Sequence, residues 1–281
     1  MNKRPLSHIG AAERAAYQAD GVICLRGMFD RDWVERMAAA VDRAMATPGE
    51  RIKEHTKPGS PGRFYARTFM WRWDRDFRDF IFDSPAAEIA GRVMGVDEVR
   101  FFYDQIFVKE PGTREATYWH HDLPYWPMRG THIPSLWLAL TPVTRESSGV
   151  EYIAGSHKWG KFYRAITPDR NPKLMDETLE ECPDFGQRRG DPSLRFLSWD
   201  MQPGDVLVHH PLTVHGAGGN PTVDRRRLAL STRYLGEDAR WDPRPATMAV
   251  DGTEGLRPGQ RPVSDVFPVV WRADMPAAHV A

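Results

Sequence analysis

Apolar positions in the first third of the chain recur at helical spacing, and those further on recur at strand spacing. Residues Ala11–Asp20, rich in Ala and Glu, predict a helix ended by Gly21, and 22–26 reads as a short strand. Asp30 is a good N-cap, and the helix it opens puts Trp33, Val34, Met37, Ala38, Val41 and Met45 on one face until Pro48-Gly49 stops it. A third helix is capped by Ser84, takes Pro85 in its first turn, turns Ile89, Ala90, Val93 and Met94 inward and ends at Gly95. Beyond it the segments 99–109, 117–122, 136–140, 149–153, 205–208 and 227–234 are short and rich in β-branched or aromatic residues, with Pro, Gly, Asn and Asp between them.

This order predicts an α+β fold: a double-stranded β-helix (jelly-roll) core with N-terminal helices buttressing one sheet. The whole chain, 1–281, is expected to form one domain. Residues 1–98 form its mainly helical part, 99–240 the jelly roll and 241–281 a C-terminal extension. Residues 161–195 have no clean period and read as a lid inserted over the mouth of the barrel.

Composition narrows the function. Lys plus Arg equals Asp plus Glu, so the net charge is zero, which argues against a general nucleic-acid binder. No run of about 18 apolar residues predicts a membrane span, and the polar start of the chain does not resemble a signal peptide. Two cysteines, Cys24 and Cys182, imply no disulfide framework, so a reducing, cytoplasmic setting is the expectation. Nothing in the composition fixes an oligomeric state.

The chemistry begins at Trp119-His120-His121-Asp122. Residues two apart on a strand share a face, so His120 and Asp122 are expected to project together, with His121 turned away. An imidazole beside a carboxylate supplies two ligands of a facial metal triad, and the third must come from a distant segment. The stretch from Gln202 to Asn220 offers His209, His210 and His215, and Arg225-Arg226-Arg227 follows before the next strand. An arginine buried at the start of that strand needs a planar anion for its fork of donors, which the distal carboxylate of 2-oxoglutarate would supply. Left to themselves, His209, His210 and His157 read more simply as packing or turn residues than as ligands. The run Arg63-Phe64-Tyr65-Ala66-Arg67 through Trp71-Arg72-Trp73 reads equally as a core-and-rim segment or as a wall for an anionic group. Tyr125 and Trp126, leaving the metal strand, are placed to touch substrate.

In this order and spacing, Asp20-Gly21-Val22, Lys109-Glu110-Pro111-Gly112, Trp119-His120-His121-Asp122, 135–140, Gly155-Ser156-His157-Lys158, Pro203-Gly204-Asp205, His215-Gly216 with Asn220, and the arginine strand resemble the phytanoyl-CoA dioxygenase family of Fe(II)/2-oxoglutarate oxygenases. The resemblance runs from about Gly21 to Tyr234. It implies that His120, Asp122 and His215 bind Fe(II) and that a strand arginine binds 2-oxoglutarate. Alternation favours Arg227 for that role, with Arg226 as the fallback. Trp137 resembles the family's cofactor-side tryptophan, and Gln105 is placed to bond cofactor or substrate. Some family members carry Ser two residues after the distal His. Here that residue is Ala217, and Ser231 is the substitute donor. The implied reaction consumes O2, releases succinate and carbon dioxide, hydroxylates a small organic substrate and takes ascorbate as reductant in vitro. An anionic substrate is the weaker expectation. A zinc hydrolase using the same ligands and a non-catalytic metal-binding β-barrel are the rivals.

Overall fold

The protein's structure, a computed structural model, describes residues 1–166 and 175–274. Among the described residues four α-helices, α1 (Ala11–Asp20), α2 (Arg31–Ala46), α3 (Arg75–Asp83) and α4 (Ala86–Met94), lie on one face of the largest of three sheets. The strands are β1 (Val22–Leu25), β2 (Ile52–Glu54), β3 (Phe64–Thr68), β4 (Glu98–Lys109), β5 (Thr117–His120), β6 (Met128–Arg129), β7 (Ser135–Ala139), β8 (Val150–Ile153), β9 (Phe196–Leu197), β10 (Val206–His209), β11 (His215–Ala217), β12 (Arg227–Leu235), β13 (Arg240–Trp241) and β14 (Val269–Arg272). The major sheet runs β1-β10-β7-β12-β4-β3-β2, with β14 also pairing β4, and the minor sheet runs β5-β11-β8-β9. Every pair named within these two sheets is antiparallel, giving the expected jelly roll.

Local chemistry sets the helix ends. Asp30 accepts a hydrogen bond from Trp33 N–H at 3.0 Å and caps α2. Gly21 ends α1 at φ 77°, a left-handed conformation in which a Cβ would also collide with His157 and Thr213. The helix at 75–83, which the sequence pattern did not reveal, is capped by Asp74, and it buries Phe77, Phe80 and Ile81 with Phe82 partly covered beside them.

The expected helical part is mixed, because β1 to β3 lie within it and join the major sheet. The arginine-rich run forms β3 and a 3-10 turn at Met70–Arg72. Its Arg67 is buried and donates to the carbonyls of Ala44 and Thr47 at 2.8 and 2.9 Å, closing the C-terminal end of α2. Of the expected lid, 167–174 lie outside the described residues. The remainder is anchored: Tyr163, Cys182 and Phe185 are buried with Ile153 and Val214. In the C-terminal segment, Val250 and Phe267 are buried with Phe102, Trp126 and Trp241.

The major sheet has two unlike faces. Leu228, Leu230, Ile106, Val108, Leu136, Leu138, Val206 and Val208 alternate outward and pack under the helices in one apolar core. Leu230→Ala is therefore expected to cost about 2–5 kcal/mol, read as a lowered urea midpoint at unchanged slope. A change below about 0.5 kcal/mol would contradict this packing.

His210 ties α1 to the barrel. Its N–H donates to Gly21 O at 2.8 Å, its Nδ1 accepts from Leu212 N–H at 3.1 Å, and its ring lies 4.9 Å from that of His157. Burial, reinforced by His157, pushes its pKa down to about 3. The unfolded chain binds this proton more readily, so the stability is present above about pH 6.5 and is lost as pH falls towards the folded value. His210→Asn should spare the protein on the order of 2–3 kcal/mol of the stability lost between pH 6.5 and 4. Unfolding curves at the two pH values test it, and an identical loss in both proteins would contradict it.

Candidate active site

The inward face of the major sheet and the minor sheet enclose a cavity of about 310 Å³. His120 closes β5, and His215 opens the neighbouring β11 directly opposite it. Asp122 lies one residue beyond His121, where the chain has left the strand and turned (φ −76°, ψ −35°). The shared strand face expected for His120 and Asp122 is therefore not how they meet; the turn carries the carboxylate back to the imidazole. Asp122 Oδ1 lies 3.5 Å from His120 Nε2 and 3.8 Å from His215 Nε2. The ligand atoms of the three residues all lie within 4.8 Å of one another. His121 points elsewhere, as expected, and its Nε2 accepts from Tyr163 N–H at 2.9 Å.

The surroundings set each donor. His120 Nδ1 donates to Tyr118 O at 2.7 Å, and His215 Nδ1 donates to Thr213 O at 2.9 Å. With Nδ1 carrying the proton, Nε2 of each ring has its lone pair free for a metal. Ser135 on β7 donates to Asp122 Oδ2 at 2.8 Å, and His209 Nε2 donates to the same oxygen at 3.3 Å. Tyr152 OH in turn donates to His209 Nδ1 at 3.1 Å. One carboxylate oxygen is thus held by protein, and the other faces the two histidines. Burial opposes the charge of Asp122, but His120, the hydrogen bond from His209, His215 and Arg233 together outweigh it and hold the carboxyl well below the usual carboxylate range. This is a preformed two-histidine, one-carboxylate set of the kind that ferrous iron takes.

Arg227 enters the same cavity from β12. It is 2% exposed, its guanidinium lies 5.7 Å from the Trp137 ring, and its hydrogen bonds go to Phe107 O at 3.1 Å and Ser148 Oγ at 3.4 Å. Among the described residues its Nε has no partner and no acid pairs with it. Burial alone pushes its pKa down to about 9. Ser231, opposite both Gln105 and Trp137, has a buried hydroxyl without a partner among the described residues, and all three side chains line the cavity. Arg226 faces the other way, pairing with Asp42 at 2.6 Å and Glu110 at 2.8 Å, so the fallback arginine is not in the site.

Other expectations are sorted by the same geometry. Tyr125 and Trp126 line the cavity. The arginines of the 63–72 run do not: Arg63 pairs with Glu54, Arg67 caps α2, and Arg72 lies over the Phe69 ring. His209 was set aside as a packing residue, yet it lines the cavity and positions Asp122. The sequence signal for it was the apolar run 206–208, which continues through His209 as the last residue of β10.

Ser135→Ala and His209→Leu should each weaken zinc binding on the order of 10–100-fold, because Asp122 then loses one of the two hydrogen bonds that order it before the metal arrives. Titration of the metal-free protein reads this, and unchanged affinity in both variants would contradict the positioning role.

The phytanoyl-CoA dioxygenase (PhyH) family model matches residues 17–228. The multifunctional dioxygenase prhA of Penicillium brasilianum is 26% identical over 237 residues, 80% of this chain and 72% of that protein. The 1-deoxypentalenic acid 11-beta-hydroxylase of Streptomyces arenae is 25% identical over 232 residues, 77% of this chain and 78% of that protein. Among solved structures, the epimerase SnoN in complex with Fe3+, alpha ketoglutarate and nogalamycin RO superposes with a TM-score of 0.72 at 23% identity, covering 92% of this chain and 97% of that one, a likeness of fold. With residues 17–228 matched, the larger part of its length, the chain belongs to the phytanoyl-CoA dioxygenase (PhyH) family.

Proposed function

We propose that the chain is an Fe(II)- and 2-oxoglutarate-dependent dioxygenase that hydroxylates a small organic substrate. The observation that carries this reading is Arg227, a buried guanidinium facing the triad's cavity with no acid among the described residues to pair it. Such a charge is costly unless a ligand brings its counter-ion. The distal carboxylate of 2-oxoglutarate is that counter-ion, with Ser231, Gln105 and Trp137 as neighbours. His120, Asp122 and His215 would hold the iron. When bound, the two cofactors supply oxygen activation, with 2-oxoglutarate oxidised to succinate and carbon dioxide.

The protein's own share is orientation and exclusion of water. Tyr103, Phe107, Tyr125, Trp126 and Met248 give the cavity an aromatic and apolar wall. Tyr125 OH accepts from Ile166 N–H at 2.8 Å and donates to Ile166 O at 2.5 Å, tying the 161–166 segment across that wall. The hydroxylase named for Streptomyces arenae supports hydroxylation as the outcome. A zinc hydrolase fits less well. It needs a base beside the metal, and the cavity's one acid among the described residues is Asp122, itself in the triad. It also leaves Arg227 without a role. The free cysteines Cys24 and Cys182 suit the cytoplasm as the setting.

Arg227→Gln should weaken 2-oxoglutarate binding at least about a hundredfold, the effect of losing roughly 3 kcal/mol. Arg226→Ala should leave it within about threefold. Equilibrium dialysis measures both, and succinate release with iron and ascorbate reports turnover. Loss of binding in the Arg226 variant alone, or no loss in either, would overturn the assignment.

A further inference from the structure

Arg233 is a second guanidinium in the cavity, and nothing in the proposed reaction uses it. It shares the inward face of β12 with Arg227 but sits at the opposite end of the strand. Arg227 pairs with Lys109, whereas Arg233 pairs with Tyr103 and with Ser135, the residue that holds Asp122. The register with β4 shifts by one residue immediately afterwards, between Arg233 and Tyr234, where Phe102 of β4 is left without a partner on β12. Arg233 is 4% exposed. Its guanidinium stacks on Tyr103, 4.6 Å from the ring centre, with Phe107 at 5.9 Å. Among the described residues its one hydrogen bond is a long one to Ser231 O at 3.4 Å, and its buried Nε has no partner. No acid lies within ion-pair distance among the described residues.

The charges of the filled site show what is missing. A divalent iron against Asp122 leaves one positive charge. Arg227 and Arg233 add two, and dianionic 2-oxoglutarate removes two. One buried positive charge remains, at the end of the cavity away from Arg227, and a buried charge needs a partner. The other cations do not change this balance. Arg51 pairs with Asp251, Lys53 is exposed, and Lys109, which does not line the cavity, is held by burial well below the usual lysine range.

We propose that Arg233 binds a carboxylate of the substrate, so that the enzyme selects small apolar carboxylic acids. A carboxylate matches the planar fork of a guanidinium already fixed by an aromatic ring. Tyr103, Tyr125, Trp126, Ile166 and Met248 would receive the apolar body. This deepens the dioxygenase reading and rests on it for the position of the reacting carbon, but not for the anion site itself.

The test uses the full chain loaded with zinc, with and without 2-oxoglutarate, and two probes of nearly equal shape, 1-adamantanecarboxylate and 1-adamantanecarboxamide. Equilibrium dialysis should show the acid bound at least about tenfold more tightly than the amide. Arg233→Gln should bring the ratio to about one while leaving 2-oxoglutarate affinity within about threefold, and Arg233→Lys should keep part of the preference. A native ratio below about threefold, including failure of both probes to bind, would overturn the proposal. So would a ratio that survives in Arg233→Gln, or an Arg233→Gln protein that loses 2-oxoglutarate as Arg227→Gln does. If 2-oxoglutarate fails to bind the native zinc protein while the acid preference holds, the dioxygenase reading falls and the Arg233 site stands.

Discussion

The period-two alternation of β12 is the constraint on which the rest of the molecule depends. All nine residues of Arg227–Leu235 are buried, so the strand has no solvent face to absorb a polar side chain. Leu228 and Leu230 face the helices, and Arg227, Ser231 and Arg233 face the cavity. A slip of one residue would put the guanidiniums into the apolar core and the leucines into the site. Pairing with β4 on one side and β7 on the other locks the register. It also sets Trp137 and Gln105 beside Ser231. The helical layer stabilises the outward face and thereby fixes the site on the inward one.

The inward face is costly to fold as it stands. Among the described residues Arg227 and Arg233 are desolvated without acids, and Ser231 keeps a buried hydroxyl unpaired. Natural cores tolerate few such groups, and those that persist usually meet a ligand. The metal end is organised in the opposite sense. Asp122, Ser135, His209 and Tyr152 form a satisfied chain of hydrogen bonds. One end of the cavity is thus prepared before a ligand arrives, and the cationic positions are completed only by ligands.

Much of this was legible because its causes are local. Asp30, Gly21 and Gly95 announce helix ends through cap chemistry that needs no tertiary partner. Strand alternation separated Arg227 from Arg226, and the two do face apart. What escaped depends on distant contacts. Asp122 reaches His120 by a turn after the strand, and no spacing rule distinguishes that from a longer strand. Arg67 looked like a candidate anion binder because its partners, the carbonyls at the end of α2, are brought to it only by the fold. His209 looked like packing because its hydrogen bond to Asp122 joins β10 to the turn after β5. The helix at 75–83 escaped because charged residues surround its short apolar face.

The central claim is that the inward face of β12 completes itself with 2-oxoglutarate at a metal held by His120, Asp122 and His215. A crystal structure of the protein grown anaerobically with ferrous iron and 2-oxoglutarate tests it most directly. The ion is expected among those three side chains and the distal carboxylate on Arg227, with N–O distances of about 2.7–2.9 Å. A metal bound elsewhere, or 2-oxoglutarate lying away from Arg227, would contradict it.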